Sequence, residues 1–329
     1  MEIDRFAALS LLDAPVVAHE AEAAGYGALW TTENRHDPFL SLVRAADATS
    51  TMTLGTGVAI AFARTPMTVA YPAYALAQLS GGRFVLGLGS QVRGHIANRF
   101  SMPWSSPAER MHEFVLALRA IFGAWQNGEP LNFRGEHYKH TLMNENFAPE
   151  RHEFGPPPIY LAGVGPKMTA VAGAVADGFL GHPFTSPSYL SAVTLPALHA
   201  HARRPVVVHS AFVILGTTAD ALAKGELAVR KRIGFYAATP AYAPVLEHHG
   251  LGDLQPQADA LARAQRWDEL TRLVPDELVD LFAVRGDPTE VADQLHDRYD
   301  HLVDRLGLNL QVSSASDQIA AVLANLQAR

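Results

Sequence analysis

The chain has 329 residues, of which 48% are apolar and 18% are charged, and its net charge is −7. These values are typical of a globular protein with a large core, and the negative charge argues against nucleic acid or an anionic membrane as the main partner. The absence of cysteine excludes disulfides, thiolate metal sites and cysteine nucleophiles. The N-terminus lacks a signal-peptide pattern and no apolar run reaches the roughly 18 residues of a membrane span, so we expect a cytoplasmic protein.

Short apolar strands alternate with helices from the start of the chain. Strands are expected at 3–8, 28–32, 53–62 and 84–89, each separated from the next by a helical stretch. Four such alternations predict a parallel sheet with crossover helices, which fits either a doubly wound sheet or a closed (β/α)8 barrel. No Gly-x-Gly-x-x-Gly sequence follows the first strand, which counts against the Rossmann arrangement.

The second part of the chain favours the barrel. Four more strands are expected, at 159–162, 178–180, 206–215 and 308–312. Eight strands in this order match an α/β fold of the (β/α)8 TIM barrel type with insertions at about 128–157 and 240–283. We expect the first insertion to form a hairpin over the barrel mouth and the second to be helical. No linker divides the chain, so we expect a single domain, 1–329.

Polar residues follow the second strand, at the face where such barrels place their sites. They are Glu33, Asn34, His36 and Asp37. A histidine here can donate or accept a proton, so His36 is a candidate catalytic residue, with Glu33 and Asn34 beside it. The alternative is structural, because Asp37 before Pro38 makes a good helix N-cap.

A glycine-containing turn follows the fifth strand and leads into a helix. Its sequence is Gly163-Val164-Gly165-Pro166-Lys167. Free backbone N–H groups and the helix dipole at such a terminus favour an anion, and Lys167 adds a positive charge. The turn is therefore a candidate phosphate site, the alternative being a tight turn whose glycines serve only its geometry.

Glycines also mark two earlier strands. Gly55 and Gly57 lie in the third strand, where a flat ring can rest against a backbone bulge or the strand can simply pack in the core. Gly87 and Gly89 end the fourth strand, and they allow a flat ligand or another backbone to approach closely. The polar loop that follows carries Ser90, Gln91, Arg93 and His95, and a solvated loop is its alternative interpretation.

Metal and serine hydrolase chemistry are both disfavoured. The close histidine pairs, His137 with His140 and His248 with His249, lack the glutamate partner and the spacing of a helical zinc site. The chain contains no Gly-x-Ser-x-Gly elbow. We therefore expect no catalytic metal.

Several stretches together resemble the bacterial luciferase-like superfamily, in order along nearly the whole chain. They are residues 20–33, 54–58, 80–89, 165–168 with 176–178, and the insertion motif 132–138. Within the superfamily the motifs look closest to the branch that uses the deazaflavin coenzyme F420 rather than FMN. The resemblance implies a (β/α)8 barrel with the coenzyme ring at its C-terminal mouth. It also implies a bulge in the third strand, often with a non-prolyl cis peptide, near Gly57–Val58.

The resemblance further implies which residues bind the coenzyme, with its phosphate at the turn from Gly163 to Lys167. The implied cofactor-binding residues are Gly57, Val58, Ala59, Ser90, Gly163, Val164, Gly165 and Lys167. The resemblance also implies a pattern for the sugar-phosphate dehydrogenases of this branch. Their pattern has a histidine directly after the acidic residue of strand two and an acidic residue after the glycines of strand four. Asn34 and Val92 stand at those places here, which argues against a sugar phosphate and leaves the general acid unassigned.

Three functions are compatible with these features. The first is an F420-dependent oxidoreductase that transfers a hydride between the deazaflavin and a small organic substrate, with a proton from His36. The second is an FMN-dependent luciferase-like monooxygenase that uses O2 and a flavin reduced by a separate reductase. The third is a non-catalytic protein that binds a flavin or deazaflavin. We also expect a homodimer or a higher homo-oligomer.

Overall fold

Eight parallel strands close into a barrel. The computed structural model describes residues 1–312 and 316–328, and its strands are β1 (Glu2–Ala7), β2 (Ala28–Thr31), β3 (Thr53–Thr56), β4 (Ala59–Ile60), β5 (Phe84–Gly89), β6 (Phe133–Arg134), β7 (Lys139–His140), β8 (Ile159–Gly163), β9 (Gly178–Gly181), β10 (Val206–Leu215), β11 (Ala283–Gly286) and β12 (Arg305–Leu310). The hydrogen-bonded order is β10-β12-β1-β2-β3-β5-β8-β9, and β9 pairs again with β10. The sheet is therefore closed, which confirms the α/β class and the (β/α)8 TIM barrel.

Helices surround the barrel. They are α1 (Ala14–Ala23), α2 (Pro38–Asp47), α3 (Pro66–Leu79), α4 (Pro107–Asn127), α5 (Pro166–Val175), α6 (Pro187–Tyr189), α7 (Leu195–Leu198), α8 (Ala219–Ala237), α9 (Ala243–His248), α10 (Leu254–Arg263), α11 (Trp267–Leu273), α12 (Asp276–Phe282), α13 (Pro288–Tyr299) and α14 (Ser316–Gln327). Side chains of Asp37, Thr65 and Asp287 cap α2, α3 and α13 by accepting backbone N–H bonds. Among the described residues, no helix is both long enough and apolar enough for a membrane span.

Some strand boundaries differ from the expectation. The third strand is interrupted by a cis peptide bond between Gly57 and Val58, where the resemblance implied one, and it resumes as β4. The last barrel strand begins at Arg305, three residues before the expected start, because the Arg305 guanidinium pairs with the buried carboxylate of Asp4 on β1. The additional strand β11 pairs with the C-terminal half of β10 and lies outside the closed ring.

Aromatic rings fill the barrel interior, and glycines make room for them. Trp30 contacts Phe6 and Tyr160, with ring centroids 6.0 and 5.8 Å away. A Cβ atom on Gly55 would overlap the Trp30 ring, and one on Gly178 would lie 2.6 Å from the Tyr160 ring. The interior is therefore a packed core, so the space for a ligand is at the strand ends.

The bulge after β3 is built by a close approach to β5. The Thr56 hydroxyl donates to the Gly87 carbonyl oxygen at 2.6 Å and accepts from the Gly87 N–H at 2.9 Å. A Cβ atom on Gly87 would overlap the Thr56 carbonyl oxygen, and one on Gly89 would lie 2.6 Å from a Val58 methyl group. Of the two explanations that the sequence allows for these glycines, the approach of a neighbouring chain segment is therefore the one observed.

The two insertions occupy different sides of the barrel. The first contains the expected hairpin, β6–β7, whose loop is held by the second turn of α4. The Glu113 carboxylate of α4 accepts the N–H groups of residues 136–138, and Tyr71 of α3 donates to the Phe147 carbonyl at 3.0 Å. The second insertion is helical, as expected, and α10, α11 and α12 pack on α8 around a second apolar core.

Substitution of Gly87 by alanine is expected to destabilise the fold by about 3 kcal/mol or more. The new methyl group would meet the Thr56 backbone, which cannot move without opening the contact between β3 and β5. Urea unfolding of the purified variant measures the effect. Gly94→Ala is the matched control, because Gly94 has helical dihedrals and open space at its Cβ position. Equal stability of the two variants would contradict the steric explanation.

Candidate active site

The C-terminal ends of the barrel strands form one rim, and the sequence-predicted residues gather there. Glu33, Asn34 and His36 follow β2, and the Gly57–Val58 bond and Ala59 follow β3. Ser90 follows β5, and residues 163–167 lead from the last residue of β8 into α5. Because the strands are parallel and adjacent, these loops share one side of the barrel. The structure thus brings the predicted site residues to a common mouth.

Glu33 is held by an ion pair. Its carboxylate accepts from the Ile60 N–H and from an Arg64 nitrogen, both at 2.7 Å, and its side chain is only 7% exposed. The other end of the Arg64 guanidinium donates to Asp37 at 2.9 Å. Burial alone would lower the pKa of Arg64, but the hydrogen bonds and charges of Glu33 and Asp37 raise it. Glu33 therefore fixes the segment after the bulge, and Asp37 also fills the cap position that the sequence suggested.

Asn34 and His36 lie on the exposed loop between β2 and α2. The Asn34 side chain donates to the Thr32 hydroxyl at 3.2 Å, and its carbonyl accepts from Arg99 at 2.8 Å. The His36 ring is exposed, and none of the hydrogen bonds within the described ranges involves it. His36 is therefore accessible to a ligand at the rim, and its catalytic role stays a prediction.

The predicted cofactor-binding residues near the bulge differ in their access to the mouth. Gly57 and Val58 are partly exposed, whereas the Ala59 side chain is fully buried and is not available to a ligand. Ser90 is partly exposed, and its hydroxyl donates to the Gln91 carbonyl at 3.1 Å. Gln91 has a φ angle of 59°, so this polar loop turns sharply directly after β5.

The turn after β8 offers an open helix terminus. Gly165 occupies the N-cap position of α5 and supplies no side-chain cap. A Cβ atom on Gly165 would meet nothing within 4 Å, which leaves space over the turn, and Lys167 is exposed in the first helical turn. Backbone N–H groups and the helix dipole thus border an open space, with an exposed lysine in the same helical turn, and this arrangement fits a phosphate group.

An aromatic group that the sequence reasoning missed lies at the end of β9. The His182 Nδ1 atom accepts from the Phe184 N–H at 3.1 Å, so the neutral ring carries its proton on Nε2, which lies 3.3 Å from the Tyr242 hydroxyl. Tyr242 stacks on the His182 ring at 4.8 Å, and Tyr236 meets it edge-on at 4.5 Å. His182 directly follows a barrel strand, and the same kind of position in the sequence identified His36 as a candidate. This signal could therefore have identified His182 as well.

The surroundings of His182 keep it neutral. Burial, together with the nearby His209 and Arg232, lowers the pKa of His182 to about 3. Burial and the neighbouring Tyr236 raise the pKa of Tyr242 well above its usual range. The Arg232 guanidinium donates to Gln311 at 3.0 Å, which joins α8 to the chain just after β12. This part of the mouth therefore offers neutral hydrogen-bonding groups, with the Arg232 cation nearby.

The family follows from comparison with known sequences. The model of the luciferase-like monooxygenase family matches residues 9–305. The chain belongs to this family. An uncharacterized protein of Mycobacterium tuberculosis is 46% identical over 309 residues, which cover 92% of this chain and 91% of that protein. The 5,10-methylenetetrahydromethanopterin reductase of Archaeoglobus fulgidus is 28% identical over 288 residues, covering 84% of this chain and 83% of that enzyme.

A solved structure confirms the fold assignment. The coenzyme F420 dependent tetrahydromethanopterin reductase of Methanopyrus kandleri superposes with a TM-score of 0.78. The alignment covers 98% of this chain and 96% of that enzyme at 20% sequence identity. The whole barrel with its insertions therefore has the same fold as that enzyme.

The depressed pKa of His182 predicts a loss of stability in mild acid. The unfolded chain binds the histidine proton near pH 6.5, whereas the folded protein binds it only near pH 3. The stabilisation is therefore complete above pH 6.5 and is lost as the pH falls towards 3. Between pH 7 and pH 5 we expect wild type to lose about 2 kcal/mol more of its unfolding free energy than His182→Gln does.

Urea unfolding at the two pH values measures this difference. His301→Gln, which changes an exposed histidine, is the control and should keep the wild-type pH dependence. An equal loss in wild type and His182→Gln would show that the His182 ring does not cause the acid sensitivity.

Proposed function

We propose that the protein is an F420-dependent oxidoreductase that transfers a hydride between the deazaflavin and a small organic substrate. The observation that carries the proposal is the open, positively charged turn after β8 on the same rim as the bulge after β3. The named reductase among the sequence relatives and the F420-dependent structural neighbour support this coenzyme.

The residues at the mouth fit such a coenzyme. Lys167 and the N-terminus of α5 would hold its phosphate, and Gly57 and Val58 would support its ring. The coenzyme supplies a hydride donor or acceptor when it is bound. The protein would orient the two reactants, exclude water with the aromatic rings of Tyr236 and Tyr242 beside His182, and provide a proton from His36.

An FMN-dependent monooxygenase is the alternative function. The description of the matching family names a monooxygenase, which favours this alternative. A deazaflavin lacks the N5 nitrogen that reduced flavins use in their chemistry with O2, so the identity of the cofactor separates the two functions. A non-catalytic protein that binds either cofactor is the third candidate.

Titration of the cofactor-free protein with F420 and with FMN tests the proposal. We expect F420 to bind at micromolar or lower concentration, with a change in its fluorescence, and FMN to bind more weakly. Single-turnover oxidation of bound reduced F420 by a panel of carbonyl and imine compounds then tests for catalysis. Tight binding of FMN alone would favour the monooxygenase, and binding without any turnover would favour the non-catalytic function.

Replacement of Lys167 by alanine is expected to weaken F420 binding about tenfold, through loss of a charge-assisted contact with the phosphate. The loss should shrink as salt is added, because an exposed charge is screened. Lys139→Ala removes an exposed lysine from the β6–β7 hairpin and is the matched control. Unchanged affinity in Lys167→Ala, with F420 still bound by wild type, would assign the phosphate to the backbone alone or to another place.

A further inference from the structure

Arg232 of α8 reaches the mouth between β9 and β12. Its Nε atom donates to the side-chain oxygen of Gln311, directly after β12, at 3.0 Å. Within the described part of the chain, no ion pair involves Arg232. By contrast Arg230, two positions earlier on the same helix, pairs with both Glu226 and Asp276. The exposed Arg232 guanidinium therefore brings a positive charge to the mouth that no carboxylate of the described residues balances.

The contact of Arg232 with Gln311 continues towards the barrel interior as a chain of hydrogen bonds. The Gln311 amide group donates to the Asn309 side-chain oxygen, so the side-chain oxygens of both residues already accept a bond. Asn309 faces the interior, because it follows by two residues Gly307, which lies against the interior Phe6 ring. The terminal N–H groups of Arg232 and the amide group of Asn309 remain as hydrogen-bond donors.

The aromatic group at the end of β9 adds a further donor. The neutral His182 ring donates from Nε2 to the Tyr242 oxygen, which leaves the Tyr242 O–H as a donor. Tyr236 connects this group to the arginine, since its ring meets His182 edge-on and its centroid lies 5.9 Å from the guanidinium carbon of Arg232. The β9–β12 side of the mouth therefore presents several donors and one positive charge.

We infer that the substrate carries a carboxylate, which Arg232 binds together with the amide group of Asn309. The inference rests on the proposed function and names the class of its substrate, an organic acid with a carbonyl or hydroxyl group that exchanges the hydride. A carboxylate has only acceptors and one negative charge, so it matches the available donors and the single charge of the guanidinium. A phosphate monoester carries a charge of about −1.5 to −2 at neutral pH, which one guanidinium does not balance.

This carboxylate site and the predicted phosphate site lie on different sides of the mouth. Lys167 follows β8, whereas Gln311 follows β12, and both β9 and β10 lie between these strands in the closed barrel. A substitution of Arg232 can therefore change the binding of the acid without changing the binding of the coenzyme.

Reduction of 2-oxo acids and of their methyl esters by reduced F420 tests the inference. The ester keeps the carbonyl group and loses the charge, and acids of about three to eight carbons sample the length of the chain. Reduction adds a hydride from the reduced coenzyme to the carbonyl carbon and a proton to the carbonyl oxygen. We expect kcat/KM to be at least about tenfold higher for the best acid than for its ester.

Arg232→Gln should lower kcat/KM for that acid about 30-fold, mainly through KM, and should leave the ester and the F420 affinity unchanged. Lys231→Gln is the matched control, because it removes the exposed charge of the adjacent residue on α8. An ester that reacts as well as its acid overturns the inference. An Arg232→Gln variant that slows acid and ester alike, or a wild type that prefers glyceraldehyde 3-phosphate to every acid, also overturns it.

Calorimetric titration separates the inference from the proposed function. The carboxylate site consists of side chains of this protein, so 2-oxooctanoate should bind the coenzyme-free protein with millimolar affinity and bind Arg232→Gln at least about tenfold more weakly. Failure of wild type to bind the acid, while F420 binds normally, overturns the inference and leaves the proposed function standing. Binding of the acid without any binding of F420 overturns the proposed function and supports the carboxylate site.

Discussion

The position of the candidate site depends on the contact between the Thr56 backbone and Gly87. At this point β3 and β5 approach so closely that only a glycine fits at position 87. The Thr56 hydroxyl donates to the Gly87 carbonyl oxygen and accepts from the Gly87 N–H. The chain leaves the sheet at Gly57 and returns at Ala59 with one extra residue relative to β5, since Gly55 pairs with Val85 and Ala59 pairs with Leu88. The bulge that faces the mouth is thus anchored at both ends.

Charge is distributed unevenly around the mouth. The two carboxylates nearest the bulge already have hydrogen-bond partners, since Glu33 accepts from Arg64 and Asp37 caps α2. At β9 the histidine is neutral, because burial opposes its protonation more strongly than any partner favours it. The exposed Lys167 then leaves the β8 side of the rim positive. The β8 side of the rim is therefore suited to an anionic tail, whereas the β9 side offers the neutral His182 with the Arg232 cation nearby.

The sequence predicted the parts of the molecule that depend on local patterns. Eight apolar runs separated by helices identify the barrel, and a glycine turn before Lys167 identifies an open helix terminus, because both signals lie within a few neighbouring residues. The pairing of Glu33 with Arg64 joins residues 31 positions apart, and that of His182 with Tyr242 joins residues 60 apart. Packing of the folded chain, and not spacing in the sequence, determines such partners. The sequence therefore grouped Glu33 with His36 as candidate catalytic residues, and it did not identify Tyr242 as part of the site.

The starts of α2 and α3 are tied to the mouth. Asp37 caps α2, and Arg64 stands two residues before the start of α3. The Arg64 guanidinium bridges Glu33 and Asp37, so one cation joins the segment after β2 to both helix starts. Because Glu33 also accepts the Ile60 N–H, the same network fixes the segment after the bulge. The bulge is therefore positioned by side chains at the starts of two outer helices as well as by the sheet itself.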